Sequence, residues 1–176
     1  MSARSRRTDA VVAGLLDWSL ESYVHVPSSH VAPVIAGLDD AGVPAVLANR
    51  EEEAVGIAGG LALAGKRVAL VMQDNGFGNA LTALTTFAKA YHVGLPIVAN
   101  TRGGLGEYNA MIHSFSEAVP DLLRAAGIRA EMLGPAQSPV VWRRTATACA
   151  ELAVMTHRPV VLLMDVMHPA TAEDLD

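Results

Sequence analysis

The chain has 176 residues, of which 51% are hydrophobic and 18% are charged, and its net charge at pH 7 is −5. This length supports one domain with a substantial core, and the high apolar fraction fits a sheet covered on both faces or a surface that a partner buries. A negative charge without a basic patch argues against nucleic acid as a partner. No apolar run approaches the ~18 residues of a membrane span, and the single cysteine, Cys149, rules out an intrachain disulfide. We therefore expect a cytoplasmic protein with no membrane contact.

Three arginines near the start of the chain precede a short apolar run, Val11–Leu16. Acidic residues interrupt the pattern, and no small-residue cleavage site follows, so the run indicates an amphipathic helix rather than a secretory signal. We expect residues 1–8 to form a flexible N-terminus, residues 9–168 a single domain, and residues 169–176 a C-terminal tail.

Apolar, β-branched runs alternate with helical patterns along the rest of the chain. The predicted strands are Tyr23–Val26, Ala45–Ala48, Val68–Met72, Ile97–Asn100, Ala130–Leu133 and Val160–Asp165. The predicted helices are Asp9–Glu21, Val31–Asp40, Glu52–Ala64, Asn79–Tyr91, Ser116–Ala126 and Val140–His157. This alternation predicts a three-layer α/β/α fold around a mainly parallel sheet of about six strands.

The longest segment without a clear period is Thr101–Ser114, which contains three glycines and follows a predicted strand. Loops in that position often cover a site. A plain surface connection has the same composition and is an equally good interpretation.

Two features should open onto the carboxyl edge of the predicted sheet. Glu51 stands where the predicted buried strand Ala45–Ala48 gives way to a helix, and the glycine-rich turn Gln73–Asn79 follows the next strand. Ligands of open parallel sheets bind in the crevice beyond this edge. An acid held there, half buried, can exchange a proton with a bound heterocycle.

Both features also have simpler interpretations. Acidic residues favour the first turn of any helix, because they complement its dipole. Helical spacing separates the three acids, however, since Glu51 should point to the sheet edge while Glu52 and Glu53 reach water. The Gly76–Gly78 turn lacks the third glycine of a dinucleotide fingerprint and the lysine of a phosphate loop, so it is a weak signal for an anion site.

The six histidines do not show the close pairing of a metal-binding helix, and we expect this chain to hold no metal by itself. His30 follows a predicted strand end and His113 lies in the glycine-rich segment, so both could face the crevice. For a lone histidine, a structural role is the simpler interpretation. Cys149 stands between alanines on a predicted helix, which indicates inert packing.

The segments Arg50–Gly60 and Met72–Leu81 resemble thiamine-diphosphate-dependent 2-oxo-acid decarboxylases, in particular the pyrimidine-binding (alpha) subunits of sulfopyruvate and phosphonopyruvate decarboxylases. The segment Tyr23–Ser29 is similar to that group's early Val-Pro-x-Ser sequence. The likeness covers residues 9 to 168.

The resemblance implies that Glu51 is the catalytic residue, which contacts N1′ of the cofactor's aminopyrimidine. It also implies that the glycine-rich turn borders thiamine diphosphate through Gln73, Asn75, Gly76, Phe77, Gly78 and Asn79. Candidates for substrate contact are Ser29, His30 and His113. The family's Asn-Ser pair before the Gly-x-Gly is Asp74-Asn75 here, so Asp74 either alters substrate choice or is a turn residue.

The family binds Mg²⁺ and the diphosphate through a Gly-Asp-Gly sequence followed by Asn, and this chain contains no Gly-Asp-Gly. The resemblance therefore implies half of an active site, completed by a separate diphosphate-binding (beta) subunit in a hetero-oligomer with additional alpha–alpha contacts. The implied reaction is decarboxylation of a small anionic 2-oxo acid, such as sulfopyruvate or phosphonopyruvate. The alternatives are a carboligase subunit that uses the same enamine, a non-catalytic binding or regulatory module that kept the fold, and an unrelated nucleotide-binding α/β domain.

Overall fold

The computed structural model describes residues 3–168, with side chains from residue 6 onward. Its strands are β1 (Ser22–His25), β2 (Ala45–Leu47), β3 (Val68–Met72), β4 (Leu95–Asn100), β5 (Arg129–Leu133) and β6 (Pro159–Met164). All neighbouring strands pair in parallel, in the order β2-β1-β3-β4-β6-β5.

Helices follow or precede every strand. They are α1 (Ala3–Asp17), α2 (Ala32–Asp40), α3 (Glu51–Leu63), α4 (Phe77–Ala83), α5 (Ala110–Ser116), α6 (Val119–Ala125) and α7 (Pro139–Thr156). A 3₁₀ turn covers Asp74–Gly76, and a π-helical segment, Leu84–Lys89, continues α4. No helix in the described part of the chain is both long enough and apolar enough to cross a lipid bilayer.

Two apolar clusters pack on the two faces of the sheet. Strand β3 shows the division, because Ala69 and Val71 contribute to one cluster while Leu70 and Met72 contribute to the other. The first cluster joins the sheet to α1, α2 and α7, and the second joins it to α3, α4 and α6. Every residue of β3 is buried, as expected for a strand covered on both sides. The predicted three-layer α/β/α fold with a parallel sheet is confirmed.

The N-terminal helix starts earlier than predicted. Helix α1 begins at Ala3 rather than at Asp9, so residues 3–8, which we expected to be flexible, belong to it. Arg7 is buried, lies over the ring of Trp142, and donates hydrogen bonds to the backbone carbonyls of Pro135 and His168. These partners are far away in the sequence, so the local pattern did not reveal them. Residues 1–2 and the expected tail at 169–176 lie outside the described residues.

Helix α1 packs closely along α7. A Cβ on Gly14 would lie 2.3 Å from the carbonyl oxygen of Arg143, so only glycine permits this approach. The hydroxyl of Thr147 donates to the Gly14 carbonyl over 2.8 Å, and the Arg143 guanidinium donates two hydrogen bonds to Asp17. The two helices therefore pack side by side on the same face of the sheet, although they come from opposite ends of the described residues.

The prediction of a buried strand before Glu51 was wrong. Strand β2 lies at the edge of the sheet, paired only with β1, and its three residues are exposed. Ala48, which follows it, is buried. An apolar run indicates a strand but does not show how many of its faces and edges are covered within one chain.

Candidate functional site

Glu51 is the first residue of α3 and lies at the carboxyl end of the sheet. Arg50 before it is extended (φ −140°, ψ 149°), as is usual for the residue that precedes a helix, so the helix begins at Glu51. Only 7% of Glu51 is exposed. The side-chain amide of Asn79 donates a hydrogen bond of 2.9 Å to Oε2 of Glu51, which fixes the carboxylate.

Gly76 lies directly against the carboxylate of Glu51. A Cβ built on Gly76 would lie 2.5 Å from Cγ and 2.7 Å from Oε1 of Glu51, closer than real contacts allow. The glycine-rich turn after β3 and the acid after β2 are thus in direct contact. Sequence reasoning placed both at one edge, and the structure brings them together.

The other two acids of the triplet have different surroundings. Glu53 accepts a hydrogen bond of 3.0 Å from the backbone N–H of Asn49, and Glu52 forms an ion pair of 2.6 Å with Arg50. Both contacts lie at the start of α3, where acidic side chains complement the helix dipole. Among the three acids, Glu51 alone is buried.

Asp74 ties the turn after β3 to the segment after β4. Its carboxylate accepts hydrogen bonds from the backbone N–H of Asn75 (2.8 Å) and of Arg102 (2.7 Å). Asp74 is buried, and this burial raises the pKa of its carboxyl, while the bond from Arg102 lowers it. These contacts join the turn to the backbone after β4, as the interpretation of Asp74 as a turn residue requires.

The remaining residues of the glycine-rich turn differ in their burial and in their contacts. Gln73 is half-buried and accepts a hydrogen bond of 3.4 Å from the Ser28 hydroxyl, and Asn75 is half-buried as well. Phe77 is buried in the core and presents no side chain to the turn surface. Gly78 is exposed and lies against the ring of Phe115.

An ion pair that sequence reasoning missed stands in the glycine-rich segment after β4. Arg102 donates through Nε (2.7 Å) and through Nη2 to the two carboxylate oxygens of Glu107, and the side chains are only 8% and 2% exposed. The guanidinium holds the pKa of Glu107 down to about 2. Arg102 also lies over the Tyr108 ring. Two opposite charges among glycines were the available signal in the sequence.

The three candidates for substrate contact are not equivalent. Nδ1 of His30 lies 3.2 Å from the Ser29 hydroxyl and 3.5 Å from Nη1 of Arg102, so Ser29 and His30 belong to this edge. His113 lies on α5, with Nδ1 at 3.6 Å from Glu117. The structure therefore groups His30, but not His113, with the Arg102–Glu107 pair.

Large apolar side chains stand exposed around the same segment. Leu105, Tyr108 and Met111 are 93%, 78% and 81% exposed. Within the described residues, no group of three or more His, Cys, Asp or Glu side chains is arranged to hold a metal ion.

The chain is similar to known thiamine pyrophosphate enzymes. Residues 6–104, more than half of the chain, match the family described as thiamine pyrophosphate enzyme, N-terminal TPP binding domain. Sulfopyruvate decarboxylase subunit alpha from Methanothermobacter thermautotrophicus is 30% identical over 92% of this chain and 96% of its own length. The subunit of the same name from Methanococcus maripaludis is 27% identical over 92% of this chain and 95% of its own length.

A solved structure with a similar fold is a 2-oxoglutarate:ferredoxin oxidoreductase from Magnetococcus marinus, with a TM-score of 0.62 and 17% identity. The match covers 97% of this chain but 31% of the oxidoreductase chain, and at this identity it supports the fold alone. The family match and the relatives together decide the assignment: the chain belongs to the thiamine pyrophosphate enzymes and carries their N-terminal thiamine-pyrophosphate-binding domain.

Proposed function

We propose that this chain is the pyrimidine-binding alpha subunit of a two-subunit, thiamine-diphosphate-dependent decarboxylase of a small anionic 2-oxo acid. The observation that carries the proposal is the Glu51 carboxylate, buried at the carboxyl edge, seated on Gly76 and held by Asn79. Sulfopyruvate is the first candidate substrate because both relatives are named for it, and phosphonopyruvate is the second.

The residues at this edge fit the pyrimidine end of the cofactor. Gly76 has no side chain, which lets Glu51 lie directly against the glycine-rich turn, where any Cβ would collide with its carboxylate. When bound, thiamine diphosphate supplies the electron sink for decarboxylation. Glu51 would hydrogen-bond to N1′ of the aminopyrimidine and hold a proton there. The hydrogen bond from Asn79 engages Oε2 of the carboxylate, so Oε1 is the oxygen that would accept the contact with N1′.

The diphosphate end has no equivalent partners in this chain. The sequence contains no Gly-Asp-Gly, and the Arg102 cation close to the edge is already neutralised by Glu107. The proposal therefore assigns Mg²⁺ and the diphosphate to a separate beta subunit, with alpha–alpha contacts completing the hetero-oligomer. Both relatives that match over most of their length are called alpha subunits, which supports a partner chain.

His30 and Ser29 are the best candidates for contact with the substrate's anionic group. They follow β1, which lies between β2 and β3 in the sheet, and so lie at the same carboxyl edge as Glu51 and the glycine-rich turn. A hydroxyl and an imidazole at that place can donate hydrogen bonds to a carboxylate, sulfonate or phosphonate. His113, beside Glu117 on α5, is the weaker candidate.

The test is reconstitution with a chain that carries Gly-Asp-Gly and a following Asn. The two chains are co-purified, thiamine diphosphate and Mg²⁺ are added, and CO₂ release is followed with sulfopyruvate, phosphonopyruvate, pyruvate and 2-oxoglutarate. We expect release with sulfopyruvate or phosphonopyruvate and none with either chain alone. A product with a new carbon–carbon bond would identify a carboligase, and cofactor binding without turnover of any 2-oxo acid would identify a binding module.

A further inference from the structure

His168 makes two contacts that a neutral imidazole cannot satisfy together. Its Nδ1 lies 2.7 Å from Oδ2 of Asp165, and its Nε2 lies 2.8 Å from the backbone carbonyl oxygen of Leu105. A carbonyl oxygen only accepts hydrogen bonds, and so does an ionised carboxylate. A neutral histidine has one N–H, so one of the two contacts would bring a lone pair against an acceptor.

The carboxylate of Asp165 serves as an acceptor throughout its surroundings. Its Oδ1 accepts hydrogen bonds from the backbone N–H of Met167 (3.1 Å) and of His168 (3.2 Å), and its Oδ2 faces the ring. A carboxylate has no hydrogen to donate to the imidazole. Both ring nitrogens of His168 must then donate, which requires the imidazolium.

The second bond, from Nε2 of His168, reaches the tip of the glycine-rich segment after β4, at residues 103–106. Gly103 and Gly106 have positive φ values of 82° and 86°, and they delimit this tip. Gly103 is packed tightly, since a Cβ there would lie 2.5 Å from the backbone nitrogen of Glu117, whereas Gly106 faces open space. The Leu105 side chain is exposed and does not anchor the tip. The carbonyl oxygen of Leu105 contacts His168 and so attaches the tip to the segment after β6.

We propose that His168, as an imidazolium, is a positioning residue that clasps the Gly103–Gly106 tip to the segment after β6. The clasp holds the tip over a cavity of about 310 Å³, which Arg102, Glu107 and His168 line together. It thereby supports the segment that begins at the Arg102–Glu107 pair and leads into α5. The catalytic consequence rests on the proposed function, whereas the clasp itself does not.

The clasp should depend on pH with a definite sign. Asp165 and the Leu105 carbonyl raise the pKa of His168 above its ordinary value. Because the pKa of His168 is raised in the folded protein, the clasp is complete at pH values below the ordinary histidine pKa. It is lost as the pH rises through the pKa of His168 in the folded protein. The charged groups that face His168 or line the cavity with it are Asp165, Arg7, Arg102, Glu107 and Glu117.

The experiment needs the full chain and no turnover. Histidine titrations by ¹⁵N NMR should give His168 a higher midpoint than exposed His92, and Asp165→Asn should lower it. Amide exchange of residues 103–106, corrected for the intrinsic rate, should become about two- to fivefold faster above that midpoint. His168→Leu should show the faster exchange at every pH. His92→Asn, at a left-handed position at the opposite end of β4, is the matched control and should change neither result.

A His168 midpoint at or below that of His92 would overturn the proposal, as would unchanged exchange of the tip in both His168→Leu and Asp165→Asn. In the reconstituted complex, the wild type should lose kcat/KM above the His168 midpoint, and His168→Leu should lack that step. Absence of all decarboxylation would contradict the proposed function and leave the clasp standing.

Discussion

Three chemically identical acids stand side by side at the start of α3, and their environments separate them. Glu51 contacts Gly76 and Asn79. Glu52 pairs with the side chain of Arg50, and Glu53 accepts a hydrogen bond from the backbone N–H of Asn49. Helical spacing was enough to predict which acid turns inward. The partners of Glu51 were not predictable as contacts, because they come from the turn after another strand.

Replacing Glu51 with glutamine should lower kcat of the reconstituted enzyme by about 10²–10⁴ while the fold stays intact. Glutamine keeps the shape and the acceptor for Asn79 but cannot exchange a proton with N1′. Steady-state kinetics and a thermal melt measure the two effects. Glu52→Gln is the matched control, because it is next in the chain and should be mild. If Glu52→Gln were inactive and Glu51→Gln active, the catalytic role would belong to Glu52 and the assignment to Glu51 would be wrong.

Gly76→Ala should displace the Glu51 carboxylate, because the added Cβ has no room beside Cγ and Oε1. A misplacement of about 1 Å at a reacting group can cost about 10²-fold in rate. Gly134→Ala is the control, since a Cβ there meets only the Gln137 side-chain oxygen, at 3.9 Å. Turnover of Gly76→Ala equal to that of Gly134→Ala would show that the contact with Gly76 does not position Glu51.

At the scale of elements, the alternation of apolar runs and helical patterns placed every strand of the sheet within two residues at each end. The errors lie where long-range contacts decide. The start of α1 depends on the ring of Trp142, and the segment after β4 is fixed by Arg102–Glu107, Asp74 and His168. Its final part is helix α5, capped by the Asn109 side chain. Short range patterns do not encode such pairings.

The Arg102–Glu107 pair should make the order of its segment sensitive to acid. Arg102 holds the pKa of Glu107 at about 2, below the ordinary 4.5. A depressed carboxyl pKa stabilises the fold above 4.5, and this contribution is lost as the pH falls toward 2. Glu107→Gln should therefore disorder residues 102–109 already at neutral pH, because it leaves Arg102 buried without its carboxylate.

Backbone NMR between pH 2 and 7 checks this expectation. In the wild type, the amide signals of residues 102–109 should shift toward random-coil positions only at the acid end. Glu131→Gln is the control, because Glu131 pairs with the more exposed Arg129. An ordered segment in Glu107→Gln at neutral pH would mean that the ion pair does not hold it.

For the whole molecule, the half-site proposal predicts weak cofactor binding by the isolated chain. Glu51 and the glycine-rich turn offer partners to the aminopyrimidine, but the chain lacks the Gly-Asp-Gly sequence that would hold Mg²⁺ and the diphosphate. Titration calorimetry of the chain with thiamine diphosphate and Mg²⁺ measures this directly. A micromolar dissociation constant without a second subunit would contradict the proposal that this chain supplies only half of the cofactor site.

The partner should cover the carboxyl edge of the sheet. Leu105, Tyr108 and Met111 present an apolar surface there, and an interface core of aromatic and methionine side chains is typical of stable complexes. Hydrogen exchange of residues 73–79 and 101–114 should slow when the diphosphate-binding subunit is added. Residues 62–67, at the opposite edge, serve as the internal reference. Equal exchange at 73–79 and 101–114 with and without that subunit would place the interface elsewhere.

The close pairing of α1 with α7 has a consequence for synthesis of the chain. Helix α1 emerges from the ribosome well before α7, the helix that covers its apolar side, because five of the six strands lie between them in the chain. Until then Val11 and Leu15 have no Trp142 or Ala146 to pack against, and exposed apolar surface of this kind invites aggregation or chaperone binding. The nascent chain is therefore most vulnerable just before α7 is complete, and a ribosome-bound fragment ending before residue 139 should bind a holdase that the full chain does not.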